Sequence, residues 1–113
     1  MSLDFEFTTE QKMIEEIVWR WASDWLEPQM EELYEQDRMP PDLFRELGKI
    51  GVNGIVFEEE YGGAGLGYVE TLLVYETLAR VSNALAMTVG ASQTLCFDNF
   101  RRNATERQKM EIL

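Results

Sequence analysis

The feature that most limits the fold is a run of glycines, Gly62-Gly63-Ala64-Gly65-Leu66-Gly67. It lies inside the stretch EEEYGGAGLGYVETLLVYETLAR, from Glu58 to Arg80, between three acids with a tyrosine and a long apolar-periodic segment. A loop so rich in glycine takes positive φ freely and lets backbone approach backbone, so it separates the segments on its two sides. Two readings compete. A dinucleotide cradle would need a third glycine at position 68, where Tyr68 stands, and a P-loop would need a lysine after the glycines, which is missing. Glu58, Glu59 and Glu60 would also repel a phosphate. Local physics therefore favours the second reading, a structural turn between an irregular arm and a helix.

The 113 residues support one domain, and 45% apolar content with 12% aromatics is enough for a packed core. A net charge of −11 disfavours nucleic acid and anionic membrane as partners. There is no secretory signal and no apolar run long enough to span a bilayer, so the expectation is a protein that is not secreted and not in a membrane. The single cysteine, Cys96, cannot form an intrachain disulfide, which fits a bacterial cytoplasm or another reducing compartment. There is no histidine. That excludes a Ser-His-Asp or Cys-His site within the chain and leaves only carboxylates as metal ligands, so no metal and no catalytic residue is assigned.

Taken in order, Met1-Ser2-Leu3 is set aside from the fold. Thr8-Thr9-Glu10-Gln11 offers a capping box with Thr8 as N-cap. Helix 1 follows, with Ile14, Ile17, Val18, Trp21, Ala22 and Trp25 on one face. Trp19 lies off it, as a surface anchor or against a second partner. Pro28 forces a kink or a restart. Gln29 to Gln36 then turns Met30, Leu33 and Tyr34 inward and leaves Glu27, Glu31, Glu32 and Glu35 as a solvated acidic side. Helix 2 is expected from Pro41 to Ile50, with Leu43, Phe44, Leu47 and Ile50 inward and Gly51 as its C-terminal glycine. Val52 to Phe57 reads as an extended, strand-like arm.

Helix 3 is expected from Tyr68 to Val81, with Val69, Leu72, Leu73 and Ala79 along one side and Tyr75 and Leu78 beside them. Glu76 lies close to this stripe. It is either a general base with a raised pKa or the partner of Arg80 four residues on, and the ion pair is favoured. Ser82-Asn83 caps helix 4, which runs to about Arg101 and carries two apolar faces. Leu85, Val89, Cys96 and Phe100, interrupted by Gln93, form one; Met87, Ala91 and Leu95 form the other. A helix apolar on two sides sits between layers or lines a pocket. Arg101 and Arg102 read as cations at a helix C-terminus. Thr105-Glu106-Arg107-Gln108 is a second capping box, and helix 5 reaches Leu113 with no C-cap, which reads as a helix cut short.

The string EEYGGAGLGY, followed by a helix ending YETLAR, resembles the N-terminal helical domain of the acyl-CoA dehydrogenases. LFRELGKIGVNGI is also similar to that family, and Glu58 stands where the family usually has proline. GASQTLCFDNFRRNATERQKMEIL resembles the isovaleryl-CoA dehydrogenase branch in Gly90-Ala91, Leu95-Cys96, Arg102-Asn103 and Glu106-x-Gln108-Lys109. The resemblance covers Phe7 to Leu113. It implies an all-α fold, a small bundle of about five helices with an irregular Gly-rich connection. It also implies that residues 1–113 are a single N-terminal domain whose middle β-domain and C-terminal helical domain are absent. The activity implied is FAD-dependent α,β-dehydrogenation of an acyl-CoA thioester, with an electron-transfer flavoprotein taking the electrons. The base and most flavin contacts would lie outside this chain, so it is expected to be inactive alone and to form a homo-oligomer. Met87, Ala91 and Leu95 match positions lining the far end of the family's acyl-chain pocket; ordinary core packing is the other reading of the same residues. A stand-alone helical binding module without redox activity is the alternative to a dehydrogenase domain.

Overall fold

A computed structural model describes residues 5–112; the opening Met1-Ser2-Leu3 and the terminal Leu113 lie outside the described residues. Among the described residues there is no strand, and the helices join into five rods. The first is α1 (Thr9–Trp21), a π-helical turn (Ala22–Leu26), a 3-10 turn (Glu27–Gln29) and α2 (Met30–Glu35). The second is α3 (Leu43–Lys49) and the third α4 (Tyr68–Ala79). The fourth is α5 (Asn83–Gly90), a second π-helical segment (Ala91–Asp98) and α6 (Asn99–Asn103); the fifth is α7 (Glu106–Ile112). The all-α fold expected from the sequence is the fold observed.

Local signals explain the rod ends. Thr8 accepts a hydrogen bond from the Gln11 amide, and the Gln11 side chain accepts one from the Thr8 amide, a complete capping box. Thr105 and Gln108 repeat it at α7. Ser82 caps α5 by accepting from the Leu85 amide. Pro28 sits in the 3-10 turn, where the widened backbone of residues 22–26 has already absorbed its missing donor, so the helix restarts at Met30. Gly51, at φ +82, terminates the turn after α3.

α1 packs on α4 and α4 on α5. Their shared core holds Val18, Trp21, Leu26, Leu47, Val74, Leu78, Leu85 and Val89 with Val52 and Ile55 from the arm. The domain is flat, 42 × 42 × 20 Å. Twenty ångströms is about two helix diameters, so each helix has at most one covered side and the outer sides carry exposed apolar residues.

Several expected faces are different in the structure. Residues 52–57 are a chain of turns, not an extended arm: Gly54 has φ +72 and its carbonyl accepts from the Phe57 amide. The turns still bury Val52, Ile55 and Phe57. On α4, Val69 and Leu72 face outward while Thr71, Leu73, Val74, Thr77 and Leu78 are buried. Threonine can occupy the inner face because its hydroxyl bonds the carbonyl four residues back, Thr71 to Gly67 at 2.9 Å and Thr77 to Leu73 at 2.7 Å. Tyr34 is exposed with its hydroxyl turned to Ser82, and Ile17 and Phe44 are also exposed. Cys96 is exposed, whereas Gln93, read as an interruption, is 1% exposed.

Candidate functional site

The fourth rod positions the candidate residues, and its π-helical segment determines how. Gln93 and Asp98 are five residues apart. In an α-helix they would lie about 140° apart around the axis. A backbone bonded i to i+5 returns to the same face after five residues, so both become buried together. Each has a polar duty there. Gln93 accepts from the Gly54 amide at 2.7 Å and donates to Asn53, fastening the arm. Asp98 accepts from the Tyr68 hydroxyl at 2.8 Å, from Arg101 at 2.9 and 3.1 Å, and from Arg102 at 3.2 Å. Arg101 also reaches Glu58 at 3.3 Å. Burial works to raise the Asp98 pKa, but the Tyr68 hydroxyl and the two guanidiniums outweigh it and hold the carboxyl below its ordinary range. Arg101 and Arg102 therefore do more than face a helix dipole. They form a clamp between the fourth rod, the start of α4 and Glu58 at the mouth of the glycine turn.

The turn itself is filled with protein. Gly62 and Gly65 take φ of +85 and +66, and a Cβ on Gly63 would stand 2.2 Å from the Phe57 carbonyl oxygen. The Gly63 amide donates to Glu58 and the Gly65 amide to Phe57. Those amides are spent on the loop, so the loop does not fit a flavin pyrophosphate. Tyr61, in the turn, donates to Glu106 on α7, with Lys109 over its ring at 5.5 Å. The Glu106 carboxylate raises the Tyr61 pKa, with burial adding to the effect.

The opposite side of the fourth rod, away from the clamp, is apolar and open. Met87 and Leu95 are 69% and 73% exposed, and Ala91 between them is exposed too. Met87 lines a groove between α4 and α5 with Leu72, Tyr75, Glu76, Ala79, Ala86 and Gly90. Leu95 lines a second depression with Cys96, Asn99, Phe100 and Ala104. The three predicted residues are all exposed, but Met87 and Leu95 line different hollows and Ala91 lies between them along the rod. Sequence spacing assumed one helix throughout. Within the groove, the Tyr75 ring lies against Gly90, 3.7 Å from the place a Cβ would occupy, and its hydroxyl meets the Thr94 hydroxyl at 2.7 Å.

Glu76 is an exposed residue at the groove edge, 4.0 Å from Arg80. Arg80 makes its shorter pair with Glu15 of α1 at 3.1 Å and lies over the Trp19 ring at 5.8 Å. The Glu76 side chain is 69% exposed and stands within ion-pair range of Arg80, the arrangement favoured from the i to i+4 spacing. The clamp around Asp98 and the role of Tyr75 went unread in the sequence. The Asp98–Arg101–Arg102 spacing, i to i+3 and i+4, was the signal that could have revealed the first.

Residues 8–113 match the family described as "Acyl-CoA dehydrogenase, N-terminal domain". The mitochondrial isovaleryl-CoA dehydrogenase of Bos taurus is 36% identical over 92% of this chain and 25% of its own length. The short-chain-specific acyl-CoA dehydrogenase of Clostridium acetobutylicum is 31% identical over 98% and 29%. The solved butyryl-CoA dehydrogenase of Megasphaera elsdenii superposes with a TM-score of 0.90 at 29% identity, covering 98% of this chain and 30% of that one. A chain from a structure described for the electron-transferring flavoprotein of Acidaminococcus fermentans superposes with a TM-score of 0.92 at 33% identity, over 98% and 29%. The chain thus spans about a quarter of the length of the curated relatives it matches.

Proposed function

Since this chain belongs to the acyl-CoA dehydrogenase family through its N-terminal domain, we propose that it forms one wall of the acyl-chain pocket of an FAD-dependent acyl-CoA dehydrogenase and has no activity alone. The reaction is α,β-dehydrogenation of an acyl-CoA thioester, with an electron-transfer flavoprotein as electron acceptor. The observation that carries the proposal is the exposed apolar side of the fourth rod, where Met87, Ala91 and Leu95 are uncovered and Leu72 lies across a groove from Met87. Exposed side chains of this size on a flat domain mark a surface that something apolar covers. In a full-length enzyme that cover is an acyl chain together with the domains behind it. In this reading the domain supplies shape, and the flavin contacts and the catalytic base belong to the rest of the enzyme.

Ala91 is the test position, because its single methyl leaves space between the longer Met87 and Leu95. Ala91→Phe in the full-length enzyme is expected to shift preference towards shorter acyl-CoAs. Each methylene excluded from an apolar pocket changes kcat/KM by about tenfold or more. An unchanged chain-length profile removes position 91 from the pocket and with it the proposal.

A further inference from the structure

We propose that Tyr75 is the end wall of the groove between α4 and α5 and so limits the length of acyl chain this domain accepts. The inference rests on the pocket reading of Met87 and Ala91 and adds a residue on a different helix. Three observations carry it. Tyr75 is the aromatic side chain among those lining the Met87 groove, where it stands with Leu72, Ala86 and Gly90. Its ring is seated on Gly90, with Cε2, Cζ and Cδ2 at 3.7 to 4.0 Å from the place a Cβ would take. Its hydroxyl is then held by Thr94 at 2.7 Å, one turn further along the same rod. The ring is therefore fixed at both ends, against residues immediately before Ala91 and immediately before Leu95.

A chain lying in this groove meets a ring held at two points, whereas Met87 beside it is exposed, flexible and able to rearrange. A wall held in this way discriminates on length, because extra methylenes have to displace an aromatic ring bonded at its far end.

The experiment uses the full-length flavoenzyme carrying this domain and straight-chain acyl-CoAs of increasing length. Tyr75→Leu shortens the wall. It is expected to raise kcat/KM for chains two carbons beyond the wild-type optimum by about tenfold relative to the optimum, mainly through KM. Tyr75→Trp lengthens the wall and is expected to move the optimum to shorter chains. Loss of folding cannot produce opposite shifts from the two variants. If Ala91→Phe alters the profile and both Tyr75 variants leave it as in wild type, the end-wall assignment is overturned and the pocket reading stands. If neither position affects chain length, both fall.

Discussion

Replacing Asp98 by asparagine removes the charge at the centre of the clamp while leaving the side chain nearly the same size. The structure gives the magnitude. The Asp98 side chain is 11% exposed and accepts from Tyr68, twice from Arg101 and once from Arg102. Arg102 is 56% exposed, so its share is screened and counts for little. Arg101 is 24% exposed, and hydrogen bonds to a charged group are worth about 1.5–3 kcal/mol each. Losing the charge also leaves the Arg101 guanidinium half-buried with only Glu58 to balance it. Breaking a buried pair on one side costs about 3–5 kcal/mol, and partial exposure brings the expectation to about 3 kcal/mol. The pH dependence fixes the cause. The folded pKa of Asp98 lies below its unfolded value, so its contribution is complete above the ordinary aspartate range and disappears as pH falls through the folded pKa. Urea unfolding of wild type and Asp98→Asn at neutral pH and at about pH 3 should therefore show a large gap that narrows in acid. A gap below about 0.5 kcal/mol at neutral pH, or one that does not change with pH, would refute the clamp.

Gly63→Ala is expected to destabilise the chain by more than the Gly62→Ala change. The first drives a Cβ into the Phe57 backbone, while the second meets open space and only the strain of φ +85, about 1–2 kcal/mol. Equal midpoints in thermal unfolding would contradict the close approach. Light scattering at high concentration is expected to show association, since Leu72, Met87 and Leu95 on one side and Phe5, Met13 and Ile17 elsewhere are uncovered. A clean monomer would count against these surfaces being sticky.

Much of the fold was legible because its signals are local. Both capping boxes, the Ser82 cap, Gly51 and the restart after Pro28 depend on residues within a turn of one another, and each formed as spacing required. Which face a helix buries was less legible. α4 carries apolar residues on more than one side, with Leu72 outward and Leu73, Val74 and Leu78 inward, so only its neighbours decide which go inward. Thr71 and Thr77 looked polar in sequence, yet their hydroxyls are satisfied within the helix and they pack as core. The π-helical segment was illegible for a related reason. It lets Gln93 and Asp98 share a face, and their partners Gly54 and Tyr68 lie 39 and 30 residues away. The exposure of Met87 and Leu95 in two separate hollows and the contact of Tyr75 with Gly90 and Thr94 were not legible from spacing along one helix.

In the proposed enzyme this domain supplies shape to the acyl pocket and holds no flavin itself. The most direct test is a visible absorption spectrum of the chain after mixing with FAD, removal of free flavin and addition of a panel of acyl-CoAs. No retained flavin absorbance and no response to any thioester are expected. Retained flavin that bleaches on addition of an acyl-CoA would contradict a purely shaping role, and would place redox chemistry within these residues.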